Sequence, residues 1–191
     1  MFSDIMPKFC WPIDKWLLKK RFRYIGKNTT FYSQNSSFLN PENMVIGSAV
    51  FINSAFYCTI EQDLMIGDRV MFGSQVSIIG GDHKYNDPNN NMRFNTSLGE
   101  NYSIKIESDA WIGHGTIILK KALISEGTIV GANSLVVNHL KPYCVYAGQP
   151  AKFIKPRFKS FHDLKTYLLM MEEKYNFSSN YNLEYLSHLY E

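Results

Sequence analysis

Five histidines, His83, His114, His139, His162 and His188, are the residues of this 191-residue sequence best suited to moving a proton near neutral pH. An imidazole, whose ordinary pKa is about 6.5, can take a proton from a hydroxyl group and pass it on. His83 stands apart by its setting. It lies in Gly80-Gly81-Asp82-His83-Lys84-Tyr85-Asn86-Asp87-Pro88-Asn89-Asn90-Asn91, a run of turn formers that reads as a loop. Asp82 and Asp87 are near enough in sequence to orient the second ring nitrogen of His83. Turn formation is the commoner use of Asp in such a run, and the better reading for Asp87. His162 and His188 fall near the C-terminus and read as surface residues, and His139 as a solvated corner. The cysteines Cys10, Cys58 and Cys144 are odd in number, widely spaced and without a CxxC pair, so they read as buried or idle thiols in a reducing compartment.

The element that must hold His83 is visible as a repeat. Ile106, Ile112, Ile118, Ile124, Val130 and Val136 recur at a spacing of six. Ile60, Ile66, Phe72 and Ile78 keep the same spacing earlier, and Ile46 and Ile52 begin another set. A lone strand alternates with period two and an amphipathic helix with about 3.6, so six fits a short strand plus a turn. Three such units close a triangular coil of about 18 residues, with one aliphatic side chain per unit turned inward. β-branched residues suit that stacked, extended backbone. Thr116, Ala122, Thr128 and Ser134, four residues after the inward position, are small enough to tighten each corner. The register lapses between residues 79 and 103, which predicts an excursion loop thrown out of the solenoid with His83 at its start.

Composition bounds the rest. Twenty Lys and Arg against seventeen Asp and Glu give a formal charge of +3, too small to argue for nucleic acid. No apolar run approaches the ~20 residues that span a bilayer, and the N-terminus shows no signal-peptide pattern, so a cytoplasmic location is the expectation. The basic, amphipathic stretch from Trp16 to Arg23 could touch an anionic membrane, though packing on its own domain is the commoner use. The organisation expected is an N-terminal segment over residues 1–24, a β-helix over 25–158, and a helical appendage over 159–191. Leu164, Tyr167, Leu168, Met171 and Tyr175 fall at helical spacing there and are expected to cap the open end of the solenoid.

In these features the chain resembles the hexapeptide-repeat acyltransferases, specifically the branch of galactoside, maltose and polysaccharide O-acetyltransferases and xenobiotic acetyltransferases. Four stretches carry the likeness: Pro41-Glu42-Asn43-Met44-Val45-Ile46-Gly47, Gly80-Gly81-Asp82-His83, Trp111-Ile112-Gly113, and Gly148-Gln149-Pro150-Ala151-Lys152 with Arg157-Phe158. The resemblance implies an all-β, left-handed parallel β-helix, a homotrimer, and acetyl-CoA as cosubstrate with no metal. It makes His83 the general base that activates an acceptor hydroxyl. It places Trp111, Gly113, His114, Ala132, Pro150, Lys152 and Arg157 along the coenzyme. For the acceptor it points to Asn53, Tyr57, Asp63 and Asp82. Tyr57 falls where galactoside enzymes carry an Asn, so an acceptor other than a simple galactoside is expected. The reaction implied is O-acetylation of a saccharide, on a surface polysaccharide or its precursor. The alternatives are acetylation of a hydroxyl-bearing antibiotic and, more distantly, a non-catalytic solenoid scaffold. The metal-dependent carbonic anhydrases built on the same solenoid need three metal histidines, and the repeats here offer His83, His114 and His139 without that family's close-spaced pair.

Overall fold

The computed structural model describes residues 20–32, 34–94 and 103–190. The spacing of six resolves into short parallel strands, three to a coil. The first coil holds β1 (Tyr24–Ile25), β2 (Thr30–Phe31) and β3 (Ser37–Leu39); the second β4 (Met44–Ile46), β5 (Phe51–Ile52) and β6 (Tyr57–Ile60). The third holds β7 (Leu64–Ile66), β8 (Met71–Phe72) and β9 (Ser77–Gly80); the fourth β10 (Ile104–Ile106), β11 (Trp111–Ile112) and β12 (Ile117–Leu119). The fifth holds β13 (Leu123–Ile124), β14 (Ile129–Val130) and β15 (Leu135–Val136), and the last turn β16 (His139–Leu140) and β17 (Cys144–Ala147). Each strand pairs with its equivalent in the next coil, so three sheets form the faces of a triangular prism. β18 (Lys152–Pro156) then folds back antiparallel on β17 and ends the second face.

The inward ladder is the one the sequence repeat predicts. Ile106 stacks between Ile66 and Ile124, Ile112 between Phe72 and Val130, and Ile118 between Ile78 and Val136. All six of the later repeat positions are at most 1% exposed. Each such side chain contributes about 1.5–3 kcal/mol relative to an exposed one. The small corner residues are buried as well, and their hydroxyls bind carbonyls of the same or the next corner. Thr128 Oγ1 donates to the Lys141 carbonyl at 2.8 Å, and Ser134 Oγ to the Gly131 carbonyl at 2.7 Å. In the second coil the ladder position belongs to Cys58, which pairs with Ile78 and is fully buried. Ile60 also points inward, two residues on, and the corner at residues 61–63 restarts the spacing of six at Ile66, eight residues after Cys58.

Residues 1–19 lie outside the described residues, and with them Cys10 and half of the basic stretch from Trp16 to Arg23. So do residues 95–102 of the excursion loop. The appendage forms α1 (Phe161–Tyr175), whose N-terminal amides are capped by Ser160 Oγ accepting from Asp163 N at 3.1 Å, and a short α2 (Leu183–Ser187). Tyr143, Leu164 and Leu186 build a second small core between the last turn of the prism and the two helices. The segment between the helices goes further. Phe177 lies over the Arg69 guanidinium at 4.5 Å, Tyr181 reaches Glu107 and Asn180 reaches Glu126. Those partners belong to three successive coils at the corner between the first and second faces, so the appendage is also a strap along the prism. Among the described residues no helix is long and apolar enough to cross a membrane.

Candidate active site

The root of the excursion loop is held by the coils on either side of it. Gly80 ends β9 directly over Ile60: a Cβ there would sit 2.0 Å from Ile60 Cδ1. One on Gly81 would sit 2.9 Å from Glu61 Oε1. On the opposite side, Lys120 in the next coil forms an ion pair with Asp82 Oδ2. The other oxygen, Asp82 Oδ1, accepts the backbone N–H of His83 at 2.9 Å. The hydrogen bond from Lys120 holds the Asp82 carboxyl below the usual carboxylate range. Asp82 therefore fixes the His83 backbone rather than the imidazole, which is exposed. Asp87 closes its own turn, accepting from Asn89 N and Asn90 Nδ2, each at 3.0 Å, as its turn-rich setting implied. Beyond His83 the loop displays large apolar side chains to solvent, Tyr85 at 72% and Phe94 at 76% exposure.

Across the third face from this root lies the corner between the second and third faces. Gly113 packs there against the next coil, where an added Cβ would sit 2.6 Å from Ala132 N and 2.7 Å from the Val130 carbonyl oxygen. His114 is exposed beside it and shares a 2.8 Å hydrogen bond between Nδ1 and Ser74 Oγ. Ala132 is exposed one coil on, and Asn53 lies two coils before Gly113, its Oδ1 accepting from Ser54 N at 2.8 Å. Trp111 projects outward from the second face between Met71 and Ile129, half exposed. Pro150, after a cis Gln149–Pro150 bond, and Lys152 are exposed at the end of the prism. Tyr57 projects from the third face, in register with Ser77, between the two corners. Asp63 lies at the loop's own corner, one coil earlier, in an exposed ion pair with Arg23 at 2.8 Å.

No family model matches the chain. A galactoside O-acetyltransferase from Lactococcus lactis is 30% identical over 151 residues, covering 79% of this chain and 70% of that protein. A probable macrolide acetyltransferase from Lysinibacillus sphaericus is 42% identical over 85 residues, 43% of this chain and 46% of the relative. Among solved structures, a hexapeptide-repeat acetyltransferase from Vibrio cholerae, complexed with acetyl coenzyme A, superposes with a TM-score of 0.68 at 23% identity, covering 78% of this chain and 79% of that one. The chain belongs to the hexapeptide-repeat acyltransferase family. It is an acyltransferase with the left-handed parallel β-helix of that family.

Within the acyltransferase, Gly113, His114 and Ala132 come together at one corner, with His83 and Asp82 at the next. Arg157 does not join either group. Its guanidinium donates to Asp109 Oδ2 at 2.6 Å and to the Gly127 carbonyl at 3.2 Å, on the far corner, with the Tyr167 ring 4.7 Å away. Only 20% of its side chain is exposed. The expected contact with a coenzyme phosphate is thus replaced by an internal ion pair that anchors the start of the appendage. Asp63, committed to Arg23, is likewise engaged within the chain.

Two groups of residues were not foreseen. Lys120 could have been found: the spacing of six places Ile118 on Ile78 and therefore Lys120 beside Gly80. The carboxylates Glu107, Asp109 and Glu126, which hold the strap, carry no comparable signal. Their partners, Tyr167, Asn180 and Tyr181, are more than 50 residues away in sequence.

Proposed function

We propose that this acyltransferase moves an acetyl group from acetyl-CoA to a hydroxyl of a saccharide, on a surface polysaccharide or its precursor, with His83 as the general base. The observation that carries the reading is the clamped root of the excursion loop, which fixes the His83 backbone where the chain leaves the third face. On the other side of that face lies the exposed corner of Ser74, His114 and Ala132. A bound thioester supplies an activated acyl group and a good leaving group, so one proton-transferring side chain suffices. His83 takes the acceptor hydroxyl proton as the oxygen attacks, and returns it to the departing sulfur. A positioned base of this kind is worth about 10²–10⁴-fold in rate.

The exposed corner supports placement of the coenzyme arm along Gly113, His114 and Ala132, with Trp111 as a wall and Pro150 and Lys152 near the nucleotide end. Lys152 offers an exposed cation of the right sign for phosphate. Tyr57 presents an aromatic face suited to stacking on a sugar ring, with Asn53 at the neighbouring corner of the same coil. The exposed Tyr85 and Phe94 support a homotrimer in which each loop reaches a neighbouring subunit and closes the site there. A cytoplasmic location is consistent with the cosubstrate.

The test is acetyl-CoA turnover against a panel of methyl glycosides and a panel of hydroxyl-bearing antibiotics, with the mass of the particle measured in parallel. Turnover with a glycoside by a trimer is the expected result. Turnover with the antibiotics alone would move the acceptor to the xenobiotic class, and no turnover with either would support a non-catalytic scaffold.

A further inference from the structure

We infer that Lys120 is a positioning residue for His83: acting through the Asp82 carboxylate, it fixes the backbone from which the imidazole projects. The inference rests on the proposed role of His83 as the base. It starts from register. β9 and β12 pair Ser77 with Ile117, Ile78 with Ile118 and Ile79 with Leu119. The next step along that ladder puts Lys120 alongside Gly80, where the two coils part company. The fourth coil turns its corner through residues 120–122, while the third leaves the prism at Gly81 for the excursion loop. Lys120 is thus the residue of the regular path that lies beside the departing one.

The contacts at this point are arranged as a clasp. From the coil below, Ile60 and Glu61 press on Gly80 and Gly81, whose lack of side chains lets the chain lie flat against them. From the coil above, Lys120 Nζ donates to Asp82 Oδ2. Asp82 Oδ1 accepts the His83 N–H at 2.9 Å. A single carboxylate therefore ties the amide of His83 to the next coil. Among the described residues no hydrogen bond to the imidazole itself is found. With only two side-chain torsions between amide and ring, the position of the backbone decides where the ring nitrogens can go. A displacement of about 1 Å at a reacting group costs as much as 10²-fold in rate. A half-exposed ion pair, by contrast, adds little to global stability. Catalysis should therefore respond strongly to Lys120 and the melting temperature weakly.

The experiment is steady-state turnover of acetyl-CoA with the best methyl glycoside of the panel, in the full chain, for Lys120→Met, Lys120→Arg, Asp82→Asn and the exchange Asp82→Lys with Lys120→Asp. Lys120→Met is expected to lower kcat about 10- to 100-fold. Its KM for acetyl-CoA should stay within about twofold, since the coenzyme corner is untouched. Lys120→Arg should retain kcat to within about threefold, because it keeps the donor to Asp82. The exchange should not recover activity, because a lysine at position 82 cannot accept the His83 N–H. Should Lys120→Met fail to fold, Asp82→Asn carries the same test, with a loss smaller than that of the exchange. The inference is overturned if Lys120→Met or Asp82→Asn keeps wild-type kcat while His83→Ala is inactive, or if the exchange restores activity, which would make the pair a structural ion pair only. A His83→Ala enzyme with normal turnover would instead remove the base itself, and the positioning role with it.

Discussion

Replacing Glu126 by Ala should release the C-terminal strap while the prism stays folded. Glu126 is fully buried. Its Oε1 accepts the Tyr143 hydroxyl, and its Oε2 accepts both the Asn180 N–H at 3.1 Å and Asn180 Nδ2 at 3.0 Å. Tyr143 is itself fully buried, and burial together with the neighbouring carboxylate pushes its phenol pKa up, so it remains a donor at any pH of interest. Removing the carboxylate strands the buried Tyr143 hydroxyl and cuts both bonds that hold the exposed Asn180. Leaving a buried neutral donor without its acceptor costs about 1–3 kcal/mol. That cost falls on the strap, because the carboxylate joins it to the coil, whereas the inward ladder of Ile and Val is untouched. Read as local opening, about 1–3 kcal/mol corresponds to roughly one to two orders of magnitude in amide exchange. Hydrogen exchange followed by mass spectrometry should show that acceleration in peptides spanning residues 176–190 and almost none in those covering 104–118. Exchange at 176–190 within about threefold of wild type would refute the reasoning, because it would mean the network adds nothing to docking.

Other outcomes follow from single contacts. Gly113→Ala should destabilise the solenoid by about 1–3 kcal/mol, since the new methyl would meet the backbone of the next coil at 2.6–2.8 Å; an unchanged denaturant midpoint would contradict the close coil stacking. Burial pushes the thiols of Cys58 and Cys144 up to about 12 and about 11, so iodoacetamide at pH 8 should label neither until the chain is unfolded. For Glu107, burial raises the carboxyl pKa, but the hydrogen bonds from Lys105 and Tyr181 outweigh it and leave the pKa below its ordinary value. A depressed carboxylate stabilises the fold above the unfolded value and loses that contribution as the pH falls through the folded one. Protection of the strap should accordingly decline below about pH 4.3, and Glu107→Gln should remove that part of the pH dependence; a strap whose protection rises on acidification would contradict the assignment.

Much of the architecture was legible because a β-helix writes its core into the sequence at fixed intervals. Ile106 to Val136 announced both the coil and the stacking partner of each residue, and the lapse after Ile78 announced the loop that carries His83. Cys58 was missed because a thiol stood where the ladder otherwise uses Ile or Val, so the set was traced through Ile60 instead. The site was legible in proportion to its dependence on the repeat. His114 and Ala132 share a corner because they sit at equivalent positions one coil apart, and Gly113 adjoins His114. The inward turn of Arg157 was not legible because its partner, Asp109, is 48 residues away and Arg157 itself lies past the end of the repeat, where nothing local says that an arginine turns inward. Asp82 was read as reaching for the imidazole or the acceptor, whereas the hydrogen bond is to the next amide, a detail of backbone geometry that spacing does not encode.

The central claim is that an imidazole held at a clamped loop root removes the acceptor proton. Its most direct test is the kcat of His83→Ala set beside the affinity of the same variant for acetyl-CoA by calorimetry. The account predicts a loss of about 10²–10⁴-fold in kcat with the dissociation constant essentially unchanged. Turnover close to that of the unaltered enzyme would contradict it.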